Sequence, residues 1–251
     1  RREDSSKVPV RSLDQLFKQA SVVHPLLIGK VRELAAGSKG CVLAQRDGAG
    51  AKRWARFQQV QASASWKAVW ADLKSPERAL EKLLRCYDCD ASRLLDCCRQ
   101  MLVFDQPAHL LTCLENILMD PDVEVVRIKN RLAEDADVVE TGGFRNVVIN
   151  LRLRTESTLR LGVAMHICEL QLVLRCHAEL MSLASHERYR VSRNCRRSVS
   201  LFSTLAKLLR SLWRAARQWT GAGGARARVM SARTSMCDAS NHNNRALPLS
   251  G

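Results

Sequence analysis

Three stretches in the second half of the chain alternate with a period of two: "VEVVRIKNRL" (123–132), "FRNVVINLRLR" (144–154) and "LGVAMHICELQLVLR" (161–175). Apolar, often β-branched residues at every second position fit a strand with two unlike faces and do not fit a helix. In the first stretch Val126, Ile128 and Asn130 fall on one face, and Arg127, Lys129 and Arg131 on the other. Cations on one face repel each other and gain nothing from burial, so they call for water or for an anion. Asn150, Arg152 and Arg154 share a face of the second stretch, and Glu169 and Gln171 share one of the third. The loop at 133–143, "AEDADVVETGG", is acidic and ends in Gly-Gly. It is long enough to imply a functional role.

The first half reads differently. Residues 12–36 have the apolar spacing of a helix, with Ser12 as cap, Pro25 as an expected break and Gly37 as the end. A loop is expected at 45–51 and a second helix from Arg53 to Leu73, with Trp54, Phe57, Trp66, Val69 and Trp70 as its bulky residues. "SPERALEKLLRCY" opens a third helix: Ser75 caps, Pro76 takes the first helical position, and Ala79, Leu80, Leu83 and Leu84 form the stripe. A strand at 99–105 and helices at 106–118 and 176–189 complete the pattern. The expected fold is α/β (α+β): a mixed sheet of about four or five strands with flanking helices, preceded by helices. The expected divisions are a helical region (1–73), the sheet domain (74–195), a basic amphipathic helix (196–220) and a low-complexity, disordered tail (221–251).

The net charge is +15, of which +9 lies in the last 56 residues. Such an excess favours anionic partners. The Leu201, Leu205, Leu208 and Leu212 line on 198–219 suits a membrane surface or an acidic partner, or packing on the domain. No specific nucleic acid is expected. No run of 18 apolar residues occurs, and "RREDSSKVPVRSLDQL" offers no apolar stretch for a signal peptide, so an intracellular, cytoplasmic chain is expected. The chain opens on Arg1 rather than Met, as a fragment or trimmed chain would. The ten cysteines read as reduced; Cys98, Cys113 and Cys168 sit inside apolar segments, and Cys86-x-x-Cys89 lacks a second pair at zinc spacing.

The order of the motifs resembles the RelA/SpoT-type nucleotidyltransferase domain, the synthetase of the alarmone (p)ppGpp, over roughly residues 74–190. "RIKN" (127–130) is similar to the family's R-x-K-D strand, with Asn130 in place of the acid. Arg127 and Lys129, with Arg131 beyond, would then meet the ATP phosphates from alternate strand positions about 7 Å apart. "GGFRN" stands where the family has N-G-Y, so Gly143 permits the turn and Phe144 stacks on the acceptor guanine. "CELQLVLR" resembles E-x-Q-I-R-T, matching at Glu169 and Gln171. Asp96 in "RLLDCCRQMLVFD" is similar to the aspartate that, with the glutamate, holds Mg²⁺. Lys74, Arg78 and Lys82 echo the family's basic helix.

The resemblance implies Asp96 and Glu169 as catalytic and metal-holding residues, Mg²⁺ as cofactor, and ATP with a guanine nucleotide as ligands. Nucleotide contacts would come from Arg127, Lys129, Arg131, Gly143, Phe144, Gln171, Lys74 and Lys82. The implied reaction is pyrophosphate transfer from ATP to GDP or GTP. The sequence departs from the pattern at Met101, Val148 and Val173, where the family has Arg, His and Arg, although Arg175 follows with the same facing. The alternative is a degenerate fold that binds a ligand or a protein partner without catalysis. Beside these stand plainer readings: a solvated edge strand for the three cations, an ion pair of Glu169 with Arg152 or Arg154, a turn role for Asp96 and a core role for Phe144.

Overall fold

The computed structural model describes residues 10–46, 50, 52–137, 142–181 and 187–191. Seven strands form one mixed sheet. They are β1 (Cys41–Arg46), β2 (Lys52–Arg56), β3 (Trp66–Ala68), β4 (Arg99–Phe104), β5 (Val123–Asn130), β6 (Val147–Leu153) and β7 (Cys168–Leu174). The order is β2-β1-β4-β7-β6-β5, with β3 paired on β1. Among these strands only β4 and β7 run parallel. The helices are α1 (Leu13–Gly37), α2 (Phe57–Gln61), α3 (Pro76–Cys86), α4 (Pro107–Met119), α5 (Glu156–Arg160) and α6 (Arg175–Glu179). The mixed α/β class expected from the sequence is the one observed.

The first half departs most from expectation. The helix expected over 53–73 is instead β2, α2 and β3, and part of the expected 45–51 loop is the end of β1. Aromatic residues there serve strand pairing: Leu43 stands opposite Trp54 and Arg46 opposite Trp66. The Arg53 guanidinium lies 4.0 Å over the Trp66 ring. Bulky side chains at mixed spacings satisfy a pleated edge as readily as a helix, and three strands arise where none was expected. Pro25 does not break α1, which runs through it. The lost backbone bond is offset by burial on both sides, since Leu16, Ala20, Val23, Leu27, Val31 and Leu34 all face the core.

Smaller differences have equally local causes. The expected strand 161–175 is β7 only from Cys168, because Gly162 at φ 67° closes a turn after α5. β6 starts at Val147 rather than Phe144. On α3, Ala79 and Leu83 are buried but Leu80 and Leu84 are exposed, so half of the expected stripe faces out. The caps behave as read: Ser12 accepts from the Gln15 amide and Ser75 from the Arg78 amide. The expected helix 176–189 is seen as α6, with 182–186 outside the described residues, as are 192–251 with the basic helix and tail. Among the described residues no helix is long and apolar enough to cross a membrane.

One face of the sheet is filled. Leu102, Phe104, Ile149, Leu151, Leu170 and Leu172 pack with α1 and with Leu110, Cys113 and Ile117 of α4 in a single core. The alternate residues of β4 to β7 form the other face. β5 reaches that face by an irregularity. Val125 stands opposite Leu151, but Arg127, not Val126, stands opposite Asn150. Strict alternation would put Arg127 and Lys129 on the same face as Val123 and Val125, which pack on the core. The extra residue, Val126, reverses the facing, so the valines meet the core and the cations turn away from it.

Leu102→Ala, deep in β4 at 0% exposure, should cost about 2–5 kcal/mol in urea unfolding. Leu118→Ala on α4, 55% exposed, should stay within about 0.5 kcal/mol of wild type.

Candidate functional site

Strand register lays a small grid of side chains on the face away from α1. One row runs Arg99, Glu169, Asn150, Arg127 across β4, β7, β6 and β5. The next runs Met101, Gln171, Val148, Lys129. Above the grid lies a cavity of about 440 Å³, within the range of about 300–1,000 Å³ usual for small-molecule sites. Lys74, Asp96 and, from α3, Arg78, Glu81 and Lys82 close one side. Arg131, Phe144, Asn146, Tyr189 and Arg190 close another. Among the described residues the walls carry eight Lys or Arg side chains against three carboxylates, those of Glu81, Asp96 and Glu169.

Asp96 anchors the floor. Its Oδ2 accepts from Lys74 Nζ at 2.9 Å and from Lys82 Nζ at 2.8 Å. The Lys74 and Asp96 side chains are under one-tenth exposed and that of Lys82 is 16% exposed. Burial by itself would raise the Asp96 pKa, but the two ammonium charges outweigh it and hold the carboxyl well below its usual range. One carboxylate cannot serve two ammoniums equally. For Lys82 the pull of Asp96 outweighs burial, and the proton is held more tightly than usual. For Lys74, burial, aided by the neighbouring Lys82 charge, prevails over Asp96 and lowers the pKa.

Buried amides hold the rest. Arg127 donates through Nε and Nη2 to Asn150 Oδ1 at 3.0 and 2.7 Å. Arg131 Nη1 donates to Asn146 Oδ1 at 3.4 Å, Asn146 Nδ2 to Gln171 Oε1 at 3.5 Å, and Gln171 Nε2 to Glu169 Oε1 at 2.7 Å. Asn146 and Asn150 are 3% and 0% exposed, so the amide end of each contact is buried. Arg152 and Arg154 both pair with Glu124, leaving Glu169 to Gln171 rather than to either arginine.

Nine of the ten residues singled out from sequence therefore border one cavity: Lys74, Lys82 and Asp96; Arg127, Lys129 and Arg131; Phe144, Glu169 and Gln171. Gly143 lies beside it, at φ 82°, in a smaller hollow of about 80 Å³ that Phe144 also borders. The Phe144 ring is tilted against Tyr189 at 5.1 Å. Arg175, with the facing of Val173, does not line the cavity. It points to Asp105 Oδ1 (2.5 Å), the Trp54 carbonyl (3.3 Å) and Cys41 Sγ (3.3 Å). His166, 1% exposed, packs with its Nδ1 3.4 Å from Gln19 Oε1. Asn146, Arg99, Tyr189 and Arg190 were not singled out. Arg99 opens β4 and Asn146 stands just before β6, four residues ahead of Asn150, and their place at the cavity follows only once the register is known.

A divalent ion is tested by the donors present. Asp96 Oδ1 is buried and has no hydrogen-bond partner, which is what a metal ligand would offer. Its other oxygen, however, already carries two ammoniums. Coulomb energy falls as 1/r, so two positive charges at about twice the contact distance cancel the attraction of one carboxylate for the ion. Glu169 would remain, with one oxygen on Gln171, and among the described residues no third His, Cys, Asp or Glu joins these two as a cluster. As arranged, the set does not fit Mg²⁺.

No protein-family model and no curated protein match the chain. Solved structures do. The chain resembles small alarmone synthetases. Small alarmone synthetase 1 from Bacillus subtilis, bound to its product pppGpp, overlays with a TM-score of 0.48 at 15% identity, over 82% of this chain and 98% of that one. Small alarmone synthetase 2 from the same organism gives 0.45 at 12%, over 78% and 87%. A GTP pyrophosphokinase family protein from Streptococcus pneumoniae gives 0.42 at 11%, over 82% and 94%. Likeness at this level is one of chain path; the chemistry of the cavity rests on its own side chains.

Asp96→Asn would leave two buried ammoniums without their counter-ion and should cost about 3–5 kcal/mol at pH 7. Because the folded pKa of Asp96 is depressed, its contribution is complete above the unfolded value of 3.8 and fades as pH falls below it. Denaturant curves of both proteins should therefore differ by a constant amount from pH 7 to about 5 and converge below about 4.

Proposed function

We propose that the chain is a RelA/SpoT-like nucleotide-binding domain whose cavity takes the polyphosphate of ATP beside a guanine nucleotide. The observation that carries this reading is the excess, among the described residues, of eight cations over three carboxylates around one cavity of ligand size. A phosphate chain matches several converging N–H donors, and guanidinium groups meet it in pairs. Arg127, Lys129 and Arg131 contact the phosphates from the strand side, and Lys74 and Lys82 from the floor. Asn150 orients Arg127. Phe144, beside the Gly142-Gly143 turn, offers a ring to a base. Free nucleotides of this kind suit a cytoplasmic setting.

A second reading, pyrophosphate transfer, is favoured by Glu169. Its carboxylate lies on the cavity wall, oriented by Gln171. In that reaction the 3′-hydroxyl oxygen of GDP or GTP bonds to the β-phosphorus of ATP, the bond from that phosphorus to the α-phosphate oxygen breaks, AMP leaves, and Glu169 takes the hydroxyl proton. Val148 and Met101 put apolar surface where the related motifs carry His and Arg, so binding is the primary proposal and transfer the second. A site that binds without turnover would act as a ligand-responsive interaction module.

Calorimetric titration of ATP into the full chain and into the Arg127→Ala/Lys129→Ala variant tests the primary reading. Wild type should bind, and the variant at least about tenfold more weakly, or about 1.4 kcal/mol. Equal binding by both would sink it. For transfer, labelled ATP with GDP should yield a pyrophosphorylated product with wild type and none with Glu169→Gln. No product from wild type leaves binding alone.

A further inference from the structure

The floor of the cavity is built of charge that is already paired in an unusual ratio. Two lysines share one buried carboxylate oxygen, at 2.8 and 2.9 Å. Each ammonium has three N–H donors and spends one on Asp96, so donors remain on both. The Lys82 stem is fixed beside Tyr87, with Nζ 5.4 Å from the ring centre. Glu169 lines the same cavity and its charge favours protonated Lys82, so this ammonium lies within electrostatic reach of both carboxylates that a bridging metal would use. It is therefore a pre-positioned cation where the related chemistry places a metal, and holding it there costs no reorganisation when an anion arrives.

We propose that the cavity takes its polyphosphate as the free anion, with the Lys74–Lys82 pair pinned on Asp96 standing in for a divalent cation. This rests on the nucleotide-binding reading above and narrows it. Charge balance points the same way. The walls carry five more positive than negative side chains among the described residues. A nucleoside triphosphate has about four negative charges near neutral pH, and its magnesium complex about two. The free anion complements these walls; the complex forfeits half of its attraction and brings a dication to ammoniums that repel it.

Metal removal on the intact protein tests this without depending on any variant's folding. ATP is titrated into the full wild-type chain in EDTA and again in excess Mg²⁺. Affinity in EDTA should equal or exceed that in Mg²⁺, by up to about tenfold. Binding seen only with Mg²⁺ overturns the inference and leaves the nucleotide-binding reading intact; binding in neither condition defeats both. Lys82→Met keeps a one-to-one Lys74–Asp96 pair and should lose at least about tenfold in EDTA, while Lys82→Arg should retain most of the affinity. Unchanged binding by Lys82→Met would remove the lysine from this role. Mn²⁺ titrated into the protein alone, followed by electron paramagnetic resonance, should show no micromolar site; one that vanishes in Asp96→Asn/Lys82→Met would overturn the proposal.

Discussion

A carboxylate taken out of water must be matched, and at Asp96 that requirement organises the whole cavity. Lys74, from the segment before α3, and Lys82, from within α3, both converge on one oxygen. The contact draws the helix against the entry to β4, where the Lys74 amide also donates to the Cys97 carbonyl at 2.9 Å. The same contact leaves two ammoniums facing an open space. A buried ion pair of this kind is poor evidence for net stability, since desolvation offsets much of the attraction. It is better understood as a device that fixes where charge stands.

The sheet supplies the opposite wall by arithmetic of register. The parallel pairing of β4 with β7 places Arg99 beside Glu169 and Met101 beside Gln171. Antiparallel β6 and β5 extend those rows to Arg127 and Lys129. One extra residue in β5 makes the last step work. Without Val126 out of register, Arg127 and Lys129 would share a face with Val123 and Val125, so either the cations would enter the α1 side of the sheet or the valines would leave it. Bulges commonly re-aim side chains at functional edges, and here a single one separates the end of β5 that holds the core from the end that faces the cavity.

Much of this is legible in the sequence because charge at period two is hard to hide. A strand with Arg127, Lys129 and Arg131 on one face, a Gly-Gly turn with Phe144, and a strand with Glu169 and Gln171 announced three pieces of one site. Asn146 carries no mark in the sequence because its role comes from lying between Arg131 and Gln171, a relation across three segments. Arg175 has the facing of Val173, but facing along a strand does not govern a residue that begins a helix, and Asp105 holds it. The 53–73 segment departs from the expected helix because Trp54, Phe57, Trp66 and Trp70 satisfy a helix face and a pleated edge about equally, and β1, whose Leu43 and Arg46 pair with Trp54 and Trp66, decides between them.

The sequence by itself determined the alternating strands from Val123 onward, the capped α3, the mixed α/β class and the identity of the charged groups at the site. These follow from local spacing, which each segment carries whatever surrounds it. Tertiary structure alone decided the seven-strand count, the path of α1 through Pro25, the reversal of facing at Val126 and the two lysines on one oxygen of Asp96. Each of those depends on partners distant in the chain, where burial and pairing outweigh local preference, and a carboxylate that reads as a metal ligand in sequence becomes, once folded, the counter-ion of the protein's own cations.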